Sequence, residues 1–159
     1  AHYLSVGPFE GQNIVKRLPF AKVETNDLPL NIAYRPAGAT PLYDAIGKAV
    51  ISTELSIQEM EEVKEVTVQV NIITDGYENN SVEFNARTIA FLIKTKEKGN
   101  WRFHYFGTDH DVHQVAQSLN IEESRTERFT KDRSGFKVMR QTMLNNFSDM
   151  MADYFKSKS

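Results

Sequence analysis

Residues 66–81 read Val66-Thr67-Val68-Gln69-Val70-Asn71-Ile72-Ile73-Thr74-Asp75-Gly76-Tyr77-Glu78-Asn79-Asn80-Ser81. A run of apolar and β-branched residues stops abruptly at Thr74-Asp75-Gly76. This pattern predicts a buried parallel strand. Asp75 falls at its C-terminal end, where open α/β sheets place their ligands. Gly76 lets the backbone turn sharply there, and a polar cluster follows. A carboxylate so placed wants a cation, a phosphate-linked metal or a basic partner. Taken alone, a strand-end Asp before Gly is as readily a turn or cap residue.

A second segment narrows the choice: Tyr34-Arg35-Pro36-Ala37-Gly38-Ala39-Thr40-Pro41-Leu42-Tyr43-Asp44-Ala45-Ile46-Gly47. It reads as a Pro/Gly loop, a Thr, then a helix. Thr40 before Pro41 suits an N-cap followed by the first helical position, and capping is the plain reading of Thr40. Together, GATPLYDAIG and IITDGYENNS are far more specific than either piece. The pair resembles the von Willebrand factor A domain, and in particular its bacterial and phage-like intracellular versions. The resemblance implies an α/β fold: a Rossmann-like, doubly wound, mostly parallel sheet with an antiparallel edge strand and flanking helices. It also implies a metal-ion-dependent adhesion site. Thr40 would bind a divalent cation directly and Asp75 would hold it through water. The cation would be Mg²⁺, or Mn²⁺ or Ca²⁺, and it would take up an acidic side chain of a partner protein. Gly38, Gly76, Tyr77, Glu78, Asn79 and Asp109 are the expected partner-binding surroundings.

One departure from the family pattern matters. The family's site begins with Asp-x-Ser-x-Ser at the end of a first, central strand, and no such motif precedes Thr40; Ser5 and Asp27 lack the spacing. His2–Phe9 and Ile14–Phe20 read instead as the two antiparallel strands that follow that strand and its helix, joined by a turn at Glu10-Gly11-Gln12. The expectation is therefore a single domain, residues 1–159, that is incomplete at its N-terminus. Thr40 with a water-mediated Asp75 is a ligand-poor set for an ion that prefers six hard oxygens, so weak Mg²⁺ binding is expected.

Composition narrows the function classes. The 159 residues are 40% apolar and 11% aromatic, enough for one sheet-and-helix core. The net charge of −2, from 19 basic and 21 acidic side chains, advertises neither nucleic acid nor an anionic membrane as partner. No run is long enough to span a bilayer. The absence of cysteine excludes disulfides and Cys-based zinc sites within the chain, and fits a reducing, cytoplasmic setting.

Along the chain, Leu42 to about Leu55 reads as a helix with Leu42, Ile46, Ala49, Val50 and Thr53 inward, and Ser56–Lys64 as its polar continuation or end. Ala86–Lys98 reads as a helix lined by Ile89, Phe91, Leu92 and Ile93, stopped at Gly99-Asn100. Trp101–Gly107 is the next strand and Asp109–Leu119 the next helix. Ser124–Thr130 is a short strand or an extended link. Ser134 to about Phe155 is a closing helix with the stripe Phe136, Met139, Met143, Phe147, Met150, Met151 and Tyr154. Strand–helix alternation argues for right-handed crossovers and a parallel sheet.

A second candidate is the constellation His104, Asp109, His110, Asp111 and His113. Histidine beside carboxylate suggests a metal site or an acid–base pair. The plainer reading places His104 in a strand and lets an Asp cap the following helix. Asp44, in the first turn of its helix, reads as a complement to the helix dipole. No nucleophile motif and no phosphate-binding loop stands out. The expected function is a non-enzymatic interaction module. The contrasting readings are a metal-dependent hydrolase or phosphotransfer enzyme using Asp75, Asp109 and a histidine, and an interaction domain whose metal site has decayed.

Overall fold

The run Val68–Ile73 forms a strand that pairs in parallel with Trp101–Gly107, and it stops one residue before the Asp-Gly turn signal. In the computed structural model, residues 41–59, 66–74, 81–108 and 111–157 are described in full, and residues 2–6, 9–10, 13–14 and 18–23 as strand backbone. Thr40, Asp75, Gly38, Gly76, Tyr77, Glu78, Asn79 and Asp109 all lie outside the described residues. The chain divides into two compact units: Ala1–Lys64 with Tyr77–Asn85, and Glu65–Gly76 with Ala86–Ser159.

In the first unit, β1 (His2–Val6) pairs antiparallel with β4 (Leu18–Val23). Between them, β2 (Phe9–Glu10) pairs antiparallel with β3 (Asn13–Ile14). An antiparallel pair is therefore present, but with other bounds than expected: His2–Val6 pairs with Leu18–Val23, which runs past Phe20, and Phe9 and Ile14 pair in a second ladder; the first register shifts between Leu4 and Val6. Among the described residues, each of these two ladders is a two-stranded sheet.

Helix α1 (Leu42–Gln58) follows in the same unit. Its N-cap is Pro41, which carries no side-chain capping bond, rather than Thr40. A proline lacks an N–H to leave unsatisfied, and its carbonyl accepts the Ala45 N–H at 2.9 Å. Leu42, Ala45, Ile46 and Val50 are buried. Ala49, expected inward, is exposed.

The second unit is built on β5 (Val68–Ile73), β6 (Trp101–Gly107) and β7 (Thr126–Arg128), in the order β5-β6-β7 with both pairs parallel. The register sets Val68 beside Trp101, Val70 beside Phe103 and Asn71 beside His104. Because successive side chains alternate faces, Val68, Val70, Ile72, Trp101, Phe103 and Tyr105 share one face, and Gln69, Asn71, Ile73, Arg102, His104 and Phe106 share the other. Helix α2 (Ala86–Glu97) lies on the first face, with Lys96 Nζ 5.4 Å from the Trp101 ring centre. Its Ile89 and Ile93 are fully buried, whereas Phe91, expected in that stripe, is 71% exposed. Phe91 stands two residues from Ile89 and from Ile93, about 200° around the helix.

Helix α3 (Val112–Ser118) inserts Val112 and Ala116, and Leu119 follows them into the core. It ends in a left-handed Asn120 at φ 63°, with Ile121 N–H on the Ala116 carbonyl and Asn120 N–H on that of Gln117. This is a Schellman ending, with Asn tolerating the conformation that glycine usually supplies. A 3-10 turn, Glu123–Arg125, leads into β7. Helix α4 (Arg133–Ser157) crosses the second sheet face, bonding Gln69, Arg102 and His104 through Met143, Asp153 and Asn146. Only Met150 of its expected stripe is buried; Phe136 is half exposed. Among the described residues, no helix is long and apolar enough to cross a membrane.

Candidate functional site

The residues expected to hold the cation, Thr40 and Asp75, are outside the described residues, as are Gly38, Gly76, Tyr77, Glu78, Asn79 and Asp109. What the structure describes is the chain next to them in sequence. Its centre is Asp44, four positions beyond Thr40. Its carboxylate is 4% exposed. Oδ2 accepts the Val82 N–H at 2.8 Å, and Oδ1 accepts the N–H groups of Glu83 at 3.0 Å and Phe84 at 2.8 Å. In return, the Asp44 N–H donates to Ser81 Oγ at 3.1 Å. The segment GATPLYDAIG is thus bonded directly to the last residue of IITDGYENNS and to the chain just after it.

The geometry gives Asp44 a role beyond complementing the helix dipole. Successive amides of residues 82–84 converge on one carboxylate, as they do around bound anions. Burial pushes the Asp44 carboxyl up, but the amides of Val82, Phe84 and Glu83, with Lys48 nearby, hold it below its usual value. The same contact explains Gly47. A Cβ there would lie 2.5 Å from the Phe84 ring, so glycine admits the ring against the helix.

At the C-terminal end of the parallel strands, Thr74 N–H donates to the Phe106 carbonyl at 3.0 Å, extending the β5–β6 ladder by one residue. Thr74 and Thr108 are both buried there, and Thr108 Oγ1 has no hydrogen-bond partner. Asp75 and Asp109 follow these threonines in the chain. An unsatisfied buried hydroxyl is a hard oxygen donor of the type a Mg²⁺-like ion accepts. In the sequence, Thr108 is marked by the Gly107-Thr108-Asp109 turn that follows a strand end.

The histidine–carboxylate constellation does not assemble among the described residues. Asp111 caps α3, accepting the Gln114 N–H at 3.3 Å, and His113 is exposed. His104 is buried against α4, its Nδ1 3.2 Å from Asn146 Nδ2. Burial, then the charges of Arg125 and Arg102, pushes its pKa down to about 4, so the ring is neutral at physiological pH. Asp109 and His110 lie outside the described residues. Among the described residues, no group of three or more His, Asp or Glu is placed to hold a metal ion.

Comparison with protein-family models, with curated proteins and with solved structures found no match.

Proposed function

We propose that this chain is a non-enzymatic protein-interaction module of the adhesion type, resembling the von Willebrand factor A domain. In this reading, Thr40 and Asp75 hold a divalent cation, and the cation receives an acidic side chain of a partner protein. The carrying observation is the bonding of Asp44 to Ser81, Val82, Glu83 and Phe84. A helix that follows the Gly-x-Thr loop is tied to the segment that follows the Thr-Asp-Gly turn. A shared ligand set needs such a tie, because two loops must be held in register for their oxygens to reach one ion. The cation would supply Lewis acidity toward a carboxylate; the protein residues supply the frame.

A Mn²⁺ titration followed by NMR tests the proposal. Paramagnetic broadening centred on Thr40 and Asp75, reaching Leu42 and Ser81 and absent in Asp75→Ala, is the expected result. Broadening scattered over surface carboxylates, or unchanged in Asp75→Ala, would overturn the assignment. Hydrolytic turnover that survives purification and disappears in Asp75→Asn would favour the enzyme reading instead.

A further inference from the structure

A second place in the molecule has the makings of a ligand site, independent of Thr40 and Asp75. On the α4 side of the sheet, a cleft of about 360 Å³ is lined by Arg102 and His104 of β6, Ser124 and Arg125 of the 3-10 turn, and Asn146, Asp149 and Asp153 of α4. His104 is 5% exposed. Its Nδ1 faces the amide nitrogen of Asn146, which can only donate, so Nδ1 accepts and the ring proton sits on Nε2. Nε2 is buried and has no hydrogen-bond partner. An orphan donor of this kind is costly to keep. Around it stand two guanidinium groups whose charge the imidazole feels.

Arg102 spends one nitrogen on Asp153 at 2.5 Å, and Arg125 spends one on Glu97. Each guanidinium carries five N–H donors, so both keep donors for a further acceptor. Donors therefore dominate the sheet-side wall of the cleft. Ser124 Oγ, 3.5 Å from Glu122, stands beside Arg125 at the rim. The helix-side wall is different. Asp149 is exposed and makes no ion pair or hydrogen bond among the described residues. It repels a second negative charge from that side and favours a donor-bearing remainder of any ligand.

We infer that the cleft binds the oxyanion group of a small molecule, a carboxylate or a phosphate, between His104 Nε2–H and the guanidinium groups of Arg125 and Arg102. Charge-assisted bonds to a bidentate oxyanion suit this arrangement. The volume suits a small ligand and not a macromolecular surface.

The test titrates the whole chain with sodium phosphate, and in a parallel arm with sodium acetate, at constant ionic strength and pH 7. The His104 Nε2–H resonance is the reporter. Saturable movement with phosphate alone assigns a phosphate group, and saturation with both assigns a carboxylate-compatible site. Removing one charge-assisted contact in Arg125→Ala is expected to weaken binding by about 10-fold or more. Arg125→Lys keeps the charge and is expected to retain most of the response. Should Arg125→Ala fail to fold, Asp149→Asn decides, since that exposed carboxylate supports no contact. Loss of its repulsion is expected to tighten phosphate binding. A linear, unsaturating response in both arms, or unchanged binding in Asp149→Asn, overturns the inference.

Discussion

Replacing Asp44 by alanine is the sharpest test of how the two motif segments are joined. The carboxylate accepts N–H groups from Val82, Glu83 and Phe84 at 2.8, 3.0 and 2.8 Å and is 4% exposed. A hydrogen bond to a charged group contributes about 1.5–3 kcal/mol, but bonds sharing one acceptor are not additive, and exposed amides regain water. The expected loss is therefore about 3–5 kcal/mol, the range for breaking a buried charged network. For a chain of this size, that lowers Tm by roughly 6–20 °C. Asp44→Asn keeps an oxygen for Glu83 and Phe84 but turns an NH₂ toward the Val82 N–H. It is expected to fall between wild type and alanine. Thermal melts give the magnitude, and amide exchange at residues 82–84 gives the location. An Asp44→Ala protein that melts within about 2 °C of wild type, with those amides still protected, would refute the reasoning.

Other perturbations follow from the same structure. Gly47→Ala forces its new methyl onto the Phe84 ring and is expected to cost about 1–3 kcal/mol, partly recovered with Phe84→Leu, as urea midpoints will show. Gly135→Ala drives a Cβ into the Thr130 carbonyl, which backbone cannot easily yield, so it should lower Tm more than Gly47→Ala does. His104, with a folded pKa of about 4, binds fewer protons than the unfolded chain between that value and about 6.5. Stability should rise with pH across that window, and His104→Gln should flatten the rise; an unchanged slope would show that another group carries it. Asp44, depressed in the folded state, contributes stability above its unfolded value that is lost as pH falls through its folded one. Its signature should therefore appear at lower pH and vanish in Asp44→Ala. Calorimetry with Mg²⁺ should show no tight site, and a micromolar affinity abolished by Asp75→Ala would show that further ligands complete the set.

Period decides which parts of the fold were legible. Residues 68–73 and 101–107 form the two expected strands and pair in parallel, because β-branched and aromatic residues at alternate positions fit a pleated surface. The helices begin and end within a few residues of their expected positions. Apolar content without angle does not separate the buried from the exposed positions of a helix. Phe91 is as apolar as its neighbours, yet Ile89 and Ile93 point the opposite way around α2. Ala49 was placed inward in α1, where Leu42, Ala45, Ile46 and Val50 take the buried side. The antiparallel strands are legible as a pair, but the partner each takes, His2–Val6 with Leu18–Val23 and Phe9–Glu10 with Asn13–Ile14, is not encoded by local alternation.

The frame of the candidate site was hidden for a different reason. Asp44 in a first helical turn is an ordinary dipole complement, and its partners are backbone amides 38 to 40 positions away. Backbone donors carry no residue identity, so no pattern in the sequence announces them. His104 shows the converse. Strand parity alone puts it on the face of Gln69, Asn71 and Arg102, away from Phe103 and Tyr105. What parity cannot say is that α4 will cover that face with a stripe of which only Met150 is buried. A polar sheet face under a partly apolar helix leaves groups unsatisfied, and Gln69 Oε1 and His104 Nε2 are two of them. The opposite face, with Phe103, Tyr105, Ile89 and Ile93 at 0% exposure, supplies the apolar burial that stabilises the sheet. The α4 face buries Phe106 as well, but beside it Gln69 Oε1 and His104 Nε2 stay unpaired, and His104 Nε2 is the donor that the inferred ligand completes.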